Sequence, residues 1–304
     1  NIIYSYGTYS TELPKVLEKL RADIVHVHVW RHPHVFQVVK LKERLRFKAV
    51  LHAHAPYHDV KQLGLITWLY HKLVDILYKE KLNSYDKIIA LTPLERGYMV
   101  KTLGVKPEKI AVIPHGIERA LLNHNSTRGN YLVYIGRMSK AKNIDLLIKA
   151  FEFFNENNVE LIIAGPDEGS AHKMLRKTKE LYRVQIKYLG VVSQHVKLKL
   201  LSDCYAFVHP ATYEPYGITL LEAQALGKPC IITGFGGQIY AAPPGVSSLW
   251  ARPSPKSFAS KIKLLFSDNE LYSKLSQNAR RWAARHTWDR ILPLYEKVYR
   301  ALVA

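Results

Sequence analysis

"HPATYEPYGITLLEAQALGKPCIITGFGG", residues 209–237, decides the reading of the fold. It follows the apolar run "CYAFV" (204–208), which reads as a strand covered on both faces. "ATYEPY" then reads as a loop, "GITLLEAQAL" as a helix closed by Gly227, and "PCIIT" (229–233) as the next strand. Strand–helix–strand alternation of this kind indicates parallel strands. Gly217, at the start of the helix, lets a ligand approach the backbone closely. The first amides of that helix, on Ile218, Thr219 and Leu220, point outward at the positive end of its dipole, a place that favours phosphate. Glu214 lies before the helix and Glu222 about a turn and a half inside it, so they do not form the close carboxylate pair of a glycosidase. Separate jobs suit them better: one at a sugar or reacting centre, the other accepting hydrogen bonds from a polyhydroxyl group such as ribose. The plainer alternative makes Glu214 a surface loop residue and Glu222 a solvated helix residue.

The same alternation extends along the chain. Strands are expected at 23–29, 48–54, 86–92 and 109–114, then at 131–136, 159–165, 185–190, 204–210 and 229–233. Helical periodicity fills the intervals, as in "NIDLLIKAFEFF" and "PKSFASKIKLLF". This pattern predicts parallel sheets with helices on both faces. The polar segment 115–130 lacks a strand and reads as a linker, and "TWDRILPLYEKVYRALVA" reads as an amphipathic helix interrupted by Pro293. The expected organisation is an N-terminal domain over 1–118, a second over 119–286, and a closing helix over 287–304 packing back on the first domain. In such sheets ligands bind beyond the carboxyl ends of the strands, which draws attention to Gly136-Arg137, Gly165-Pro166 and His52 to His54.

Composition narrows the field. The chain has 304 residues, 48% hydrophobic and 23% charged, as in a globular protein, with no apolar run long enough to cross a bilayer. The start carries no signal-peptide pattern. Cys204 and Cys230 sit in apolar runs and read as small buried hydrophobes, which points to a reducing cytoplasm. The balance of 44 Lys+Arg against 25 Asp+Glu gives +19, an excess that attracts phosphorylated molecules, anionic lipid or nucleic acid. The charge is spread without basic blocks, and no recognition motif or aromatic platform accompanies it, which argues against nucleic acid. His26, His28, His32 and His34 raise a metal site, since alternating histidines share one face of a strand. No neighbouring Cys or carboxylate completes a tetrahedral set, so no metal is expected.

"EPYGITLLEAQALGKPCIIT" closely resembles the signature of retaining glycosyltransferases of family four, the sucrose-synthase and mannosyltransferase-like group 1 enzymes. "DIVHVH", "HAHAPY", "TPLERGYM", "IPHGIE", "YIGRMSKAKNIDLLIKAF", "GFGG" and "TWDRI" match further family landmarks in order. The resemblance implies the GT-B fold: α/β, with two Rossmann-like parallel-sheet domains facing a cleft, the N-terminal one reduced. It implies transfer of a hexose from a nucleoside diphosphate sugar to a glycan, lipid-linked or small-molecule acceptor, with retention and without a metal or other cofactor. Carried onto this chain, Arg137 and Lys142 bind the diphosphate while Gly136 lets the backbone approach. Glu222 takes the ribose hydroxyls, and Glu214 lies at the donor sugar. Tyr216, Gly217 and Ile218 present backbone groups to the sugar, Thr219 and Leu220 face the phosphates, and the base rests near Leu189–Val191. His54 is the histidine that faces the sugar from the N-terminal domain. Glu214 and His54 are thus the candidate catalytic residues.

The chain departs from the family pattern in two places. No Gly-rich loop of the usual first strand–loop–helix stretch is found, so the sequence reads as a fragment or a reduced enzyme, with "SYGT" (5–8) as a substitute turn. "QIYAAPPGVSS" lacks the acidic residue that helps position the sugar. Competing readings are an epimerase-like or phosphorylase-like relative and a basic polyanion-binding module. Segments 30–48 and 65–81, basic and aromatic, suggest contact with an anionic membrane at the inner face of the cell membrane. Ordinary helix packing with snorkelling lysines is the competing reading of both.

Overall fold

The computed structural model describes residues 9–54, 56–57, 60–154, 158–169 and 185–304. The "SYGT" turn lies outside them. The chain divides into two compact units, 1–114 with 291–304, and 115–290. The division therefore falls at Pro114/His115 rather than after 118, and residues 291–304 cluster with the first unit.

In the first unit β1 (Ile24–His28), β2 (Lys48–His52), β3 (Lys87–Ala90) and β4 (Ile110–Val112) form one sheet in the order 1-2-3-4. Every pair is parallel. The central strands β2 and β3 are nearly closed to solvent, with Ala49, Val50, Leu51, Ile88 and Ile89 all fully buried, while the edge strands β1 and β4 are partly open. Helix Pro33–Leu45 covers the sheet through Val35, Val38 and Leu41. This places the 30–48 segment in the core, and its packing explains its apolar residues without any lipid. Helix Leu65–Tyr78 differs: Val74 and Asp75 are its buried residues, while Ile66, Leu69, Leu73 and Ile76 are exposed. Asp75 holds the buried Arg31 guanidinium at 2.7 and 2.9 Å and accepts from the Trp30 indole at 3.0 Å. Each charge in such a pair is costly to bury alone, so the pair persists because both partners are hydrogen-bonded.

The second unit holds a six-stranded parallel sheet of β5 (Tyr131–Ile135), β6 (Glu160–Ala164), β7 (Ile186–Tyr188), β8 (Ala206–His209), β9 (Cys230–Ile232) and β10 (Ser248–Trp250). The order is 10-9-8-5-6-7. The chain builds outward from β5 through β6 to β7, then returns to the other side of β5 and builds outward again from β8. This is the doubly wound Rossmann order, and β5/β8 is where the winding reverses. Helices Ile144–Phe154 and Pro255–Ser267 supply much of the core against this sheet through Leu147, Phe151, Phe154, Phe258 and Ile262. The nine expected strands are all present, and β10 is an addition: "SLW" is too short for a periodic signal and is held by parallel pairing to β9. The closing helix Trp288–Val303 runs on through Pro293 rather than breaking there. Cys204 and Cys230 are both free and buried.

Candidate functional site

The reversal between β5 and β8 opens a crevice at their carboxyl ends, and the residues there come from two loops. One follows β5, from Gly136 through the single 3₁₀ turn Lys140–Lys142 to Asn143. The other follows β8, from Pro210 to Gly217. They are stitched together by backbone: the Ala141 carbonyl accepts from the Thr212 amide at 2.8 Å and from its hydroxyl at 3.2 Å. Asn143, left-handed at φ 53°, donates from its amide to the Pro210 carbonyl at 3.4 Å. This stitching brings Lys142 to Glu214, residues far apart in sequence. Lys142 Nζ lies 2.7 Å from Glu214 Oε2, and both side chains are 12% exposed. A third residue, His209 at the end of β8, places Nε2 at 2.9 Å from the same carboxylate oxygen. Behind it the buried Tyr134 ring lies parallel to the His209 ring, 5.8 Å away, and the Tyr134 hydroxyl donates to the Arg137 carbonyl at 2.9 Å. The backbone of Arg137 is thereby tied to the packing that supports Glu214.

Burial alone would raise the Glu214 pKa; the His209 hydrogen bond and charge, with Lys142 beside it, outweigh burial and bring it down to about 2. The carboxylate is ionised throughout the physiological range.

The predicted residues come together in part. Arg137 is exposed and paired with Glu168 at 2.8 Å. Glu222 accepts from Lys197 at 2.7 Å. Among the described residues no hydrogen bond or ion pair joins these two pairs to each other or to Lys142–Glu214. Glu168 also lines a 590 Å³ cavity with Met138, Ser139, Asn143, Ile144 and Asp145, so the segment after β5 borders open volume. Leu189 and Val191 stay exposed just past β7.

Gly217 precedes helix Ile218–Ala225 with φ 104°, a left-handed conformation that favours glycine, and an added Cβ would press on the Leu220 side chain. Ile218 and Thr219 supply the opening amides. Leu220 corrects the expectation: its amide turns back to the Gly217 carbonyl at 3.0 Å and its side chain is fully buried, so it closes the turn rather than facing a ligand. Tyr216 is also buried, and its hydroxyl has no hydrogen-bond partner among the described residues.

Sequence reasoning missed His209, Glu168 and Lys197. His209 ends a strand of the switch point and could have been found by that position. Lys197 lies on a separate helix, Gln194–Asp203, and nothing local marks it as the partner of Glu222. "GFGG" gains a structural role: the Gly237 amide donates to the Glu214 carbonyl at 2.7 Å, and a Cβ on Gly237 would be driven into the Pro215 carbonyl. Lys228 of "GKP" is buried, donating to the Cys204 carbonyl at 2.9 Å and to that of Thr127.

His54 lies in the first unit, just beyond β2, with φ 56° and its Nε2 at 2.9 Å from His28 Nδ1. Val29 and Arg31, beyond β1, are also left-handed, at φ 70° and 76°. A β-branched residue there is costly, by roughly 1–3 kcal/mol, and strain of this kind concentrates at functional positions.

The depressed Glu214 pKa fixes the sign of an acid effect. A carboxylate bound more tightly as the anion in the folded state contributes stability above its ordinary value of 4.5, lost as pH falls through about 2. The contribution is on the order of 3 kcal/mol. Wild type should therefore exceed Glu214→Gln in urea midpoint at neutral pH, and the gap should narrow as the buffer is acidified below about pH 4.5. A gap independent of pH would contradict the anchoring of this carboxylate.

Comparison with known proteins accords with this arrangement. Residues 119–282 match the family described as glycosyl transferases group 1, and residues 3–121 match glycosyltransferase family 4. An uncharacterised glycosyltransferase of Methanocaldococcus jannaschii is 24% identical over 91% of this chain and 75% of its own length. Mannosylfructose-phosphate synthase of Agrobacterium fabrum is 29% identical over 69% of this chain, which spans 51% of that enzyme. Among solved structures, sucrose-phosphate synthase of Thermosynechococcus elongatus superimposes with a TM-score of 0.81 at 21% identity, covering 96% of this chain and 76% of the other. Anabaena HepE, solved with UDP and glucose, gives 0.78 at 18% identity over 98% and 84%. The two parallel-sheet α/β domains are those of the GT-B fold. The chain belongs to the group 1 glycosyl transferases.

Proposed function

We propose that this chain transfers a hexose from a nucleoside diphosphate sugar to a glycan, lipid-linked or small-molecule acceptor, with retention at the anomeric carbon and no metal at the diphosphate. The observation that carries this reading is the Lys142–Glu214 pair at the switch point, 2.7 Å apart beside the opening amides of helix Ile218–Ala225. A cation, a carboxylate and helix-end amides on one crevice suit a sugar diphosphate, with phosphate at the amides and sugar hydroxyls at the carboxylate. HepE of Anabaena, solved with UDP-glucose, supports a donor of this class.

The sugar–phosphate C–O bond breaks with its electron pair passing to the diphosphate, while the anomeric carbon bonds to an acceptor hydroxyl oxygen on the same face and that hydroxyl's proton passes to the departing diphosphate. Lys142 and Arg137 stabilise that charge as it develops, which lets the step proceed without a divalent ion. Arg137 is 63% exposed on its Glu168 partner, a weak surface pair that a phosphate can displace. Glu214, ionised and held from two sides, orients the sugar through its hydroxyls. Glu222 accepts from ribose hydroxyls in exchange for Lys197. His54 is the candidate catalytic histidine of the first unit.

The exposed helix Leu65–Tyr78 favours a second element of this reading, contact with an anionic membrane. Ile66 and Ile76 are 76% and 71% exposed, and Lys72, Lys79 and Lys81 lie on or just beyond the helix. An apolar groove of 490 Å³ runs between this helix and Pro33–Leu45, lined by Phe36, Leu41, Leu73, Leu77 and Tyr78. Apolar insertion plus basic charge is the combination that holds a peripheral helix on anionic lipid. Among the described residues no helix is long and apolar enough to cross a membrane.

Two measurements test these proposals. UDP, GDP and ADP are compared by thermal shift, since a ligand that binds only the folded state raises the melting temperature. At least one should do so, and Lys142→Ala should weaken it roughly tenfold or more, as expected for a lost hydrogen bond between charged groups. An undiminished shift in Lys142→Ala would overturn the diphosphate assignment. Flotation with vesicles should recover the protein with anionic and not zwitterionic lipid, and Ile66→Ser/Ile76→Ser should abolish recovery; indifference to lipid charge rejects the membrane reading.

A further inference from the structure

His26 and His28 have no Cys or carboxylate partner close in the chain, but the sheet supplies a histidine from another strand. His26 and His28 alternate on β1, so their rings leave the same face. The β1–β2 register sets His52 directly beside His28. Three imidazoles therefore share one face of the sheet by backbone geometry alone. One ring nitrogen from each lies within 4.8 Å of those of the other two. The centroids are 4.6 Å apart for His26–His28, 5.5 Å for His28–His52 and 6.1 Å for His26–His52. Ligand nitrogens at 2.0–2.1 Å from a tetrahedral ion are about 3.3 Å apart, so modest ring rotations close the set.

The surroundings favour an ion further. His26 Nδ1 lies 2.7 Å from the Tyr299 hydroxyl, and His28 Nδ1 lies 2.9 Å from His54 Nε2. Such contacts occupy one nitrogen of each ring and leave Nε2 for another partner, as the outer shell of a metal site does. His26 Nε2 is buried with no hydrogen-bond partner among the described residues. A buried polar atom left in that state is uncommon and calls for an explanation. His28 is exposed, which gives an ion a way in.

We propose that His26, His28 and His52 form a three-histidine site for a divalent transition ion of the Zn²⁺ type, with water completing a tetrahedron. Imidazole ligands favour Zn²⁺, Co²⁺ or Ni²⁺ over Mg²⁺ and Ca²⁺, which prefer oxygen ligands. The site lies within the first unit, where its ligand His28 contacts His54, the candidate catalytic histidine. It ties β1 to β2, with the closing helix contributing Tyr299 behind His26.

The test uses the full chain without a histidine tag, dialysed against chelator. Zn²⁺ uptake is measured by competition with a chromophoric indicator, and Co²⁺ is added separately to read the visible absorption of a tetrahedral complex. The expected result is one ion per chain with a tetrahedral Co²⁺ band. His26→Ala and His52→Ala should each lose at least about tenfold in affinity, and Tyr299→Phe, which keeps every ligand, should lose roughly tenfold. His195→Ala, exposed in the second unit, should bind as wild type. Far-UV circular dichroism establishes that each variant is folded. Wild type with neither uptake nor a Co²⁺ band, or folded His26→Ala and His52→Ala variants that bind undiminished, would overturn the proposal; if both unfold, an unaffected Tyr299→Phe would do the same.

Discussion

The second unit turns on one buried ion pair. Lys142 and Glu214 arrive from loops on either side of the β5/β8 reversal, and each largely shielded charge is held by the other. Backbone bonds from Thr212 and Asn143 join the two loops and bring the pair together, just ahead of helix Ile218–Ala225. His209 holds the carboxylate from the strand side, Tyr134 packs behind His209, and the Gly237 amide grips the Glu214 backbone. The carboxylate is therefore positioned by packed and hydrogen-bonded neighbours rather than by its own loop. Positioned charge is what such a site needs, because donors and acceptors already in place spend no free energy reorganising when a bond breaks.

The other charged residues behave differently, and burial is the reason. Arg137–Glu168 stands in solvent, where an ion pair is worth little and exchanges readily. Lys197–Glu222 is intermediate, at 23% and 17% exposure. Burial thus separates the shielded Lys142–Glu214 pair from the more exposed pairs made by Arg137 and Glu222.

Much of this was legible in sequence because it rests on local periodicity and spacing. Continuous apolar runs marked nine strands, and the Gly217 step marked a helix start. What escaped had no local signal. β10 is three residues held by its neighbour, Lys197 meets Glu222 only once two helices pack, and Leu220 turned inward because the first turn of its helix closes on Gly217. The histidines show the same limit: His26 and His28 were visible as an alternating pair, whereas His52 joins them only through the register of a neighbouring strand. Likewise segments 30–48 and 65–81 looked alike in composition, and only packing separated a core helix from an exposed one.

The account depends most directly on where a nucleoside diphosphate sits. A crystal structure of the protein with bound UDP, or with whichever of GDP or ADP binds, measures this. The account predicts the diphosphate at the carboxyl ends of β5 and β8, within hydrogen-bonding distance of Lys142 Nζ and the Ile218 and Thr219 amides, with the Arg137–Glu168 pair opened. A nucleotide bound elsewhere, with Lys142 and Arg137 both keeping their present carboxylate partners, would contradict it.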